Sequence, residues 1–266
     1  MYCNEQLWRV NSMKGQFLLS SAESFTEGNI YADKSSVVLD WLLRIGIDKK
    51  YFSLREVALE GQVSVGLVQK VFGTLVLHGL LETEGVRTAK RFSLKKPKHL
   101  LKGWLEHYSV IKKCKMWTYR SSFQNKEEIL KILKKSDLQS KTALALHSAA
   151  EAHGFKNTNL NTIELYLLEP GIRGKLEEVL DLEPQERGYE VLLIEPYYKS
   201  LIQAERGLRK GLNVSPVLLT FLDLYHFPLR GLELAEFMAE RIPELKRIYR
   251  VERAISQFLA GIEAHV

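Results

Sequence analysis

Cysteine is scarce in this chain, and long apolar runs are missing. The 266 residues include two cysteines, Cys3 and Cys114, which form neither a disulfide framework nor the paired spacing of a zinc site. No apolar run approaches the ~20 residues of a membrane helix, and the N-terminus MYCNEQLWRV lacks the pattern of a secretory signal. We therefore expect a cytoplasmic protein with no membrane partner.

The common catalytic and cofactor motifs are missing as well. The sequence contains no HExxH, GxxxxGK(S/T), GxGxxG or CxxC pattern. It has no Gly-Ser pair, with which a nucleotidyltransferase site usually starts. These absences predict that the chain is not an enzyme and has no catalytic residue, cofactor or metal site. One alternative stays open, because the carboxylates of Glu164, Glu195 and Asp223 could converge in an enzyme that acts on nucleic acid or nucleotides.

The charge is unevenly distributed along the chain. The balance is +3 for residues 1–97, +7 for residues 98–141 and −4 for residues 142–266. A basic front half favours a polyanionic partner through long-range attraction. A solvated lysine-rich surface would give the same count, so charge alone does not decide between the two.

Helical patterns with clear start signals occupy the region after residue 33. In YFSLREVALEG, Ser53 and Glu56 have the spacing of a capping box. In VSVGLVQKVFGTLVLHGLLE, Ser64 is a good N-cap, and Val68 and Phe72 follow at helical spacing. We predict a helix that starts after Ser64 and ends at Gly79.

The outer face of that helix carries small and polar residues and one cation. A face of this kind can approach a DNA major groove closely, where amides meet base edges and cations meet phosphates. A surface packed against protein would be expected to carry larger apolar groups. The predicted DNA-binding residues on this face are Ser64, Val65, Gly66, Gln69, Lys70 and Thr74.

A basic hairpin is predicted directly after the helix. In LLETEGVRTAKRFSLKK, Leu81 and Thr83 are expected to pair with Phe92 and Leu94 around a turn at Gly85. The predicted DNA-binding residues here are Arg87, Thr88 and Lys90. The order of elements predicts a winged helix-turn-helix domain over residues 31–97, preceded by an N-terminal segment 1–30. Three-helix units of this size also serve as protein-binding modules, and that alternative stays open.

The rest of the chain is predicted to be an α+β region. Residues 98–141 read as a basic helical bridge, in which Trp104, Tyr108 and Ile111 extend one amphipathic stripe from Pro97. Residues 142–266 read as a C-terminal α+β domain with a small sheet. This domain is expected to have a small-residue helix in TALALHSAAEAHG, strands in TIELYLL and YEVLLIEP, and a helix capped by Ser215 in NVSPVLLTFLDLYHF.

Several stretches together resemble the AbiEi-like antitoxins of type IV toxin–antitoxin systems. They are DKSSVVLDWLL, VSVGLVQKVFGTLVLHGLLE, LLKGWLEHY, ALALHSAAEAHG, VLLIEP and GLNVSPVLLTFLDLYHFPLRGLELAEFM, and they cover roughly residues 30 to 240. The resemblance implies a winged-helix domain that binds double-stranded DNA at the operator of its own operon and represses it. It also implies a C-terminal antitoxin-like domain that opposes a nucleotidyltransferase-like toxin without forming a stable complex with it.

The sequence leaves the partners of the chain partly open. It does not give the operator, the oligomeric state or an effector ligand. The chain could also be an orphan regulator, or an interaction module that docks a partner through its small-residue helix or its C-terminal helix.

Overall fold

The computed structural model describes residues 29–86, 89–123, 125–156 and 159–250. These ranges contain twelve α-helices, a two-stranded hairpin and a seven-stranded sheet. The chain is thus a mixed α/β protein, and none of the described helices is long and apolar enough to cross a membrane. The predicted N-terminal segment lies outside the described residues, except for Asn29 and Ile30.

Three helices and a hairpin form the first part of the fold. Their bounds are α1 Asp33–Arg44, α2 Leu54–Glu60, α3 Val65–Leu77, β1 Leu81–Glu84 and β2 Arg91–Leu94. The two strands are antiparallel, and Leu81 lies opposite Leu94 while Thr83 lies opposite Phe92. The predicted pairing of the hairpin is therefore confirmed.

The seven-stranded sheet forms the centre of the second part. Its strands are β3 Lys115–Ser121, β4 Thr142–Leu144, β5 Ile163–Leu167, β6 Leu182–Pro184, β7 Val191–Glu195, β8 Gly207–Arg209 and β9 Leu212–Val214. They lie in the order β6-β3-β7-β5-β4-β9-β8. The β5–β7 and β4–β9 pairs are parallel, and the other pairs are antiparallel. The expectation of a small sheet is wrong, because several of its strands are short segments that pair only with distant parts of the chain.

Nine helices pack around this sheet and join it to the first part. They are α4 Pro97–His107, α5 Val110–Lys113, α6 Lys126–Lys135, α7 Leu146–Ala152, α8 Arg173–Val179, α9 Lys199–Glu205, α10 Val217–Tyr225, α11 Gly231–Arg241 and α12 Pro243–Ile248. Both faces of the sheet are buried. Along β7, Leu192 and Ile194 belong to one apolar core, while Val191 and Leu193 belong to the other. This double burial explains why the strand is a continuous apolar run.

The segment 98–141 contains helices, as its pattern predicts, but strand β3 interrupts them. Helix α4 ends at His107, Tyr108 has extended backbone angles, and Ile111 is 47% exposed. Residues 115–121 then form β3, which lies between β6 and β7. Backbone hydrogen bonds to these distant strands stabilise the extended conformation. For the same reason residues 142–144, predicted as the start of a helix, form strand β4 beside β5.

Ser215 does not cap α10 as predicted. The N-cap residue is Pro216, which has no side chain that can accept a hydrogen bond, and the helix begins at Val217. The Ser215 hydroxyl is fully buried and has no hydrogen-bond partner among the described residues, while its backbone N–H donates to the Leu144 carbonyl. Ser215 therefore extends the strand pairing of β9 instead of starting the helix.

Buried and partly buried polar contacts connect the first part to the second. The Trp104 indole N–H donates to the Tyr198 hydroxyl at 2.7 Å, and this hydroxyl donates to the Tyr31 carbonyl at 3.1 Å. The Asp33 carboxylate accepts from both the backbone N–H and the hydroxyl of Ser200, each at 2.8 Å. One apolar core also continues from α1 and α3 to the sheet. The orientation of α3 relative to the sheet is therefore set by direct contacts.

Candidate nucleic-acid interface

Both ends of α3 are defined by local backbone chemistry. The Ser64 hydroxyl accepts a hydrogen bond from the Leu67 N–H at 3.2 Å, which confirms the predicted N-cap. At the other end Gly79 has a φ of +63°, and the Leu80 N–H donates to the Leu75 carbonyl at 2.8 Å. This is the Schellman arrangement, in which a left-handed glycine closes a helix. The last helical residue is Leu77, two positions before the predicted end.

The outward face of α3 is exposed along its first two turns. Ser64, Val65, Gly66, Gln69 and Lys70 are all exposed, as the sequence predicted. A Cβ atom added at Gly66 would meet nothing within 4 Å, so this part of the helix faces open space. Lys70 forms no ion pair within the described part of the chain. The Gln69 amide and the Lys70 ammonium group are therefore available to a partner.

Thr74 does not belong to this face. Its residue exposure is 7%, and its hydroxyl donates to the Lys70 carbonyl one turn earlier. It lines a surface depression together with Tyr31 and Gly103, on the side of α3 that faces α4. The expectation that Thr74 is exposed is wrong, because α4 and the segment before α1 cover this side of the helix.

A groove runs along α3 between α2 and the hairpin. Its cavity volume is about 550 Å³. Its lining comes from three elements and comprises Ser53, Leu54, Arg55, Val65, Gln69, Phe72, Gly73, Val76, Lys90 and Phe92. Three predicted residues thus lie on the same groove, Val65 and Gln69 from α3 and Lys90 from the hairpin.

The capping box of α2 fixes one wall of the groove. The Glu56 N–H donates to the Ser53 hydroxyl and the Ser53 N–H donates to the Glu56 carboxylate, each at 3.2 Å. Burial opposes ionisation of Glu56, but hydrogen bonds from Lys49 and Ser53 lower its pKa below the ordinary value. Glu56 is thus paired within the fold, whereas the neighbouring Arg55 is an exposed cation of this helix.

Two cations line the groove, Arg55 and Lys90, and Lys70 lies next to it on the exposed face of α3. Lys70 and Lys90 were predicted, whereas Arg55 was missed. Arg55 is exposed and forms no ion pair with any described residue. The capping box was a sufficient signal, because it fixes residues 54–56 in the first helical turn and only Glu56 is needed for the cap. The Lys90 ammonium lies 5.5 Å from the centre of the Phe92 ring, which places it over β2.

The remaining predicted residues of the hairpin, Arg87 and Thr88, lie outside the described residues. The strands beside them and the residues next to these strands carry charges of both signs. Glu82 in β1 pairs with Lys95 at 2.8 Å, and Arg91 at the start of β2 is exposed. The described hairpin therefore does not present a uniformly basic surface, and its positive side is the β2 side.

The three carboxylates of the enzyme alternative have separate partners. Glu164 accepts hydrogen bonds from Ser148, Thr162 and Tyr189. Glu195 is an exposed partner of Lys199. Within the described ranges, no group of three or more His, Cys, Asp or Glu side chains could hold a metal ion. These carboxylates therefore do not belong to a shared metal-binding group in the described ranges.

Asp223 is the third carboxylate, and it is fully buried. Its two oxygens accept hydrogen bonds from the hydroxyls of Tyr108 and Tyr166, each at 2.7 Å. Burial raises the pKa of Asp223 to about 7, although both hydrogen bonds act in the opposite direction. Tyr108 follows α4 and Tyr166 lies in β5, so the carboxylate connects three elements of the core.

Comparison with known proteins identifies the family. A family model described as transcriptional regulator, AbiEi antitoxin, type IV TA system matches residues 93–243. This is more than half of the chain, and the chain therefore belongs to this family of regulatory antitoxins. The match begins in β2 and extends to α12, so it covers the sheet but not α1–α3. No curated protein and no solved structure matches the chain.

Proposed function

We propose that this chain regulates transcription by sequence-specific binding to double-stranded DNA. In this proposal α1–α3 and the hairpin form a winged helix-turn-helix over residues 31–97. Helix α3 enters the major groove, and the β2 side of the hairpin contacts the flanking backbone. The main support is the exposed face of α3, on which Gln69 and Lys70 stand beside a groove bordered by Arg55 and Lys90.

The chemistry of this face suits base recognition with phosphate contacts. A glutamine amide can donate to and accept from the edge of adenine at the same time, which is worth roughly 1–3 kcal/mol of discrimination. Lysine and arginine side chains neutralise phosphates without reading sequence. Gly66 permits a close approach, because no side chain separates its backbone from the partner.

We further propose that the chain is the autoregulating antitoxin of a type IV pair. It would repress its own operon from the operator, and residues 142–266 would oppose a nucleotidyltransferase-like toxin without a stable complex. The family supports an antitoxin role, since its matched region covers most of this part of the chain. We place this activity in the cytoplasm, where operator DNA and a toxin would both be accessible.

Fluorescence anisotropy with duplex DNA tests the proposal. The full chain is titrated with a duplex from upstream of its own gene and with a scrambled duplex, at several salt concentrations. We expect a preference for the upstream duplex, and log affinity should fall by ~0.9 per phosphate contact per decade of salt. Equal binding to both duplexes would contradict sequence-specific recognition.

Two variants and one control assign the binding to α3. Gln69→Ala should reduce affinity for the upstream duplex and weaken its advantage over the scrambled one by roughly 1–3 kcal/mol. Lys70→Ala should weaken binding to both duplexes and lower the salt dependence by about one contact. Lys175→Ala removes an exposed lysine from α8 and serves as the control. It should leave the affinity for both duplexes and the salt dependence unchanged. If Gln69→Ala and Lys70→Ala bind like the parent, α3 is not the reading helix.

A further inference from the structure

A second cleft lies where α1 meets the C-terminal part of the fold. Its cavity volume is about 460 Å³. Its walls come from α1, α9, β8, α10, α12 and the turn after α7, so both parts of the chain contribute to it. Neither the DNA-binding face nor the family match assigns a role to this cleft. A cavity of this size can hold a small organic molecule.

Part of the cleft is lined by apolar side chains. Leu43 comes from α1, Leu218 from α10, and Leu245 and Ile248 come from α12. Each of these side chains is at most 7% exposed, so together they form a preformed apolar surface beneath the opening. Such a surface accommodates an aliphatic or aromatic group and contributes binding through burial of apolar area.

A nearly buried carboxylate lies in the wall that α1 contributes. Asp40 is 2% exposed, and its Oδ2 accepts from the Arg44 Nε at 3.1 Å. Burial raises the pKa of Asp40 to about 6, and the charge of Arg44 opposes this effect only in part. Arg44 also pairs with Glu205 at 2.5 Å, so its guanidinium group is shared between two carboxylates. A further cationic donor in the cleft would therefore stabilise the ionised Asp40.

The other charges of the cleft are one carboxylate and one guanidinium group. Glu244 from α12 forms no ion pair in the described part of the chain. Arg209 in β8 is exposed, and among the described residues its guanidinium group donates only to the neighbouring Leu208 carbonyl, at 3.4 Å. Burial lowers the pKa of His153 and the nearby charge of Arg209 lowers it further, whereas its hydrogen bond with the Ser215 carbonyl acts in the opposite direction. Arg209 is thus the group in this cleft that can accept an additional anion.

We propose that this cleft binds a free α-amino acid with an apolar side chain. Its carboxylate pairs with Arg209, and its ammonium group donates to Asp40 and Glu244. Its side chain packs against the apolar lining formed by Leu218 and Leu245. The cleft can bind an anionic group, a cationic group and an apolar group at the same time. An amino acid with an apolar side chain carries all three.

Isothermal titration calorimetry on the full chain without DNA tests the proposal. The probes are L-leucine and L-phenylalanine, together with leucinamide and 4-methylpentanoate. Leucinamide lacks the carboxylate, and 4-methylpentanoate lacks the ammonium group. We expect at least one of the two amino acids to bind, and the two truncated probes to bind at least tenfold more weakly than L-leucine. Absence of binding by both amino acids would overturn the proposal, as would a truncated probe that binds as well as L-leucine.

Variants of two adjacent residues locate the binding. Arg209→Ala changes an exposed side chain and should weaken amino-acid binding at least tenfold, with no change in circular dichroism. Lys210→Ala removes the next cation along the chain, which does not line the cleft, and should bind like the parent. Binding that persists unchanged in Arg209→Ala would place the amino acid elsewhere and overturn the assignment.

Discussion

Replacing Tyr166 by phenylalanine would remove one of the two hydrogen bonds that Asp223 accepts. The change leaves the ring in place and creates no large cavity, but one buried carboxylate oxygen loses its partner. A hydrogen bond to a charged group contributes roughly 1.5–3 kcal/mol, and one between neutral groups roughly 0.5–1.5 kcal/mol. The cost of the substitution therefore depends on the ionisation of Asp223.

The expected pH dependence follows from the raised pKa of Asp223. Its pKa is 3.8 in its ordinary state and about 7 in the folded protein, because burial favours the neutral form. The folded state thus binds the proton more tightly than the unfolded state, and this group lowers stability as pH rises from about 4 to about 7. At pH 8 the folded carboxylate is ionised and needs both tyrosines. Tyr166→Phe should then lower the free energy of unfolding by roughly 1.5–3 kcal/mol, whereas at pH 5.5 it should lower it by roughly 0.5–1.5 kcal/mol.

Urea unfolding followed by circular dichroism at pH 5.5 and pH 8 measures this difference. Tyr119→Phe serves as a control, since the Tyr119 hydroxyl donates to Glu177, a carboxylate that water can partly reach. Tyr119→Phe should lower the free energy of unfolding by a similar amount at the two pH values. If Tyr166→Phe costs the same at both pH values, or more at pH 5.5, then Asp223 is not ionised in the folded protein at pH 8 and the reasoning fails.

Two further substitutions test the local structure by the same unfolding measurement. Ser53→Ala removes the capping hydroxyl of α2 and should cost about 1 kcal/mol, whereas Ser53→Asp should retain most of the stability because aspartate also caps helices. Gly231→Ala should cost roughly 1–3 kcal/mol, because the added Cβ would lie 2.5 Å from the Leu224 carbonyl oxygen and force the backbone to shift. A parent-like stability of Gly231→Ala would show that this contact relaxes freely.

Elements whose signals are local were predicted correctly from the sequence. The capping box of α2, the N-cap of α3 and the register of the hairpin each depend on residues within a few positions of one another. Strands β5 and β7 were also recognised, because burial on both faces makes them continuous apolar runs. These signals were sufficient to place the exposed face of α3.

Features that depend on distant contacts were not predicted. Strand β3 contains Lys115 and Arg120 and resembles a surface segment until its pairing with β6 and β7 is known. Thr74 has helical spacing with the exposed residues, and only the packing of α4 shows that it is buried. The partners of Asp223 lie 115 and 57 residues away, which no local pattern reveals. Burial and side-chain pairing require the tertiary structure.

The shared core has a consequence for how this protein can change over evolution. An ordinary modular regulator can exchange its DNA-reading unit by recombination, because a linker isolates that unit from the rest. Here Tyr31 and Asp33 accept hydrogen bonds from Tyr198 and Ser200, which each lie 167 residues further along the chain. A transplanted α1–α3 unit would have to bring matching residues for α9 and its preceding turn. Under the proposed function, new DNA specificity should therefore arise by point substitutions on α3 more readily than by domain shuffling.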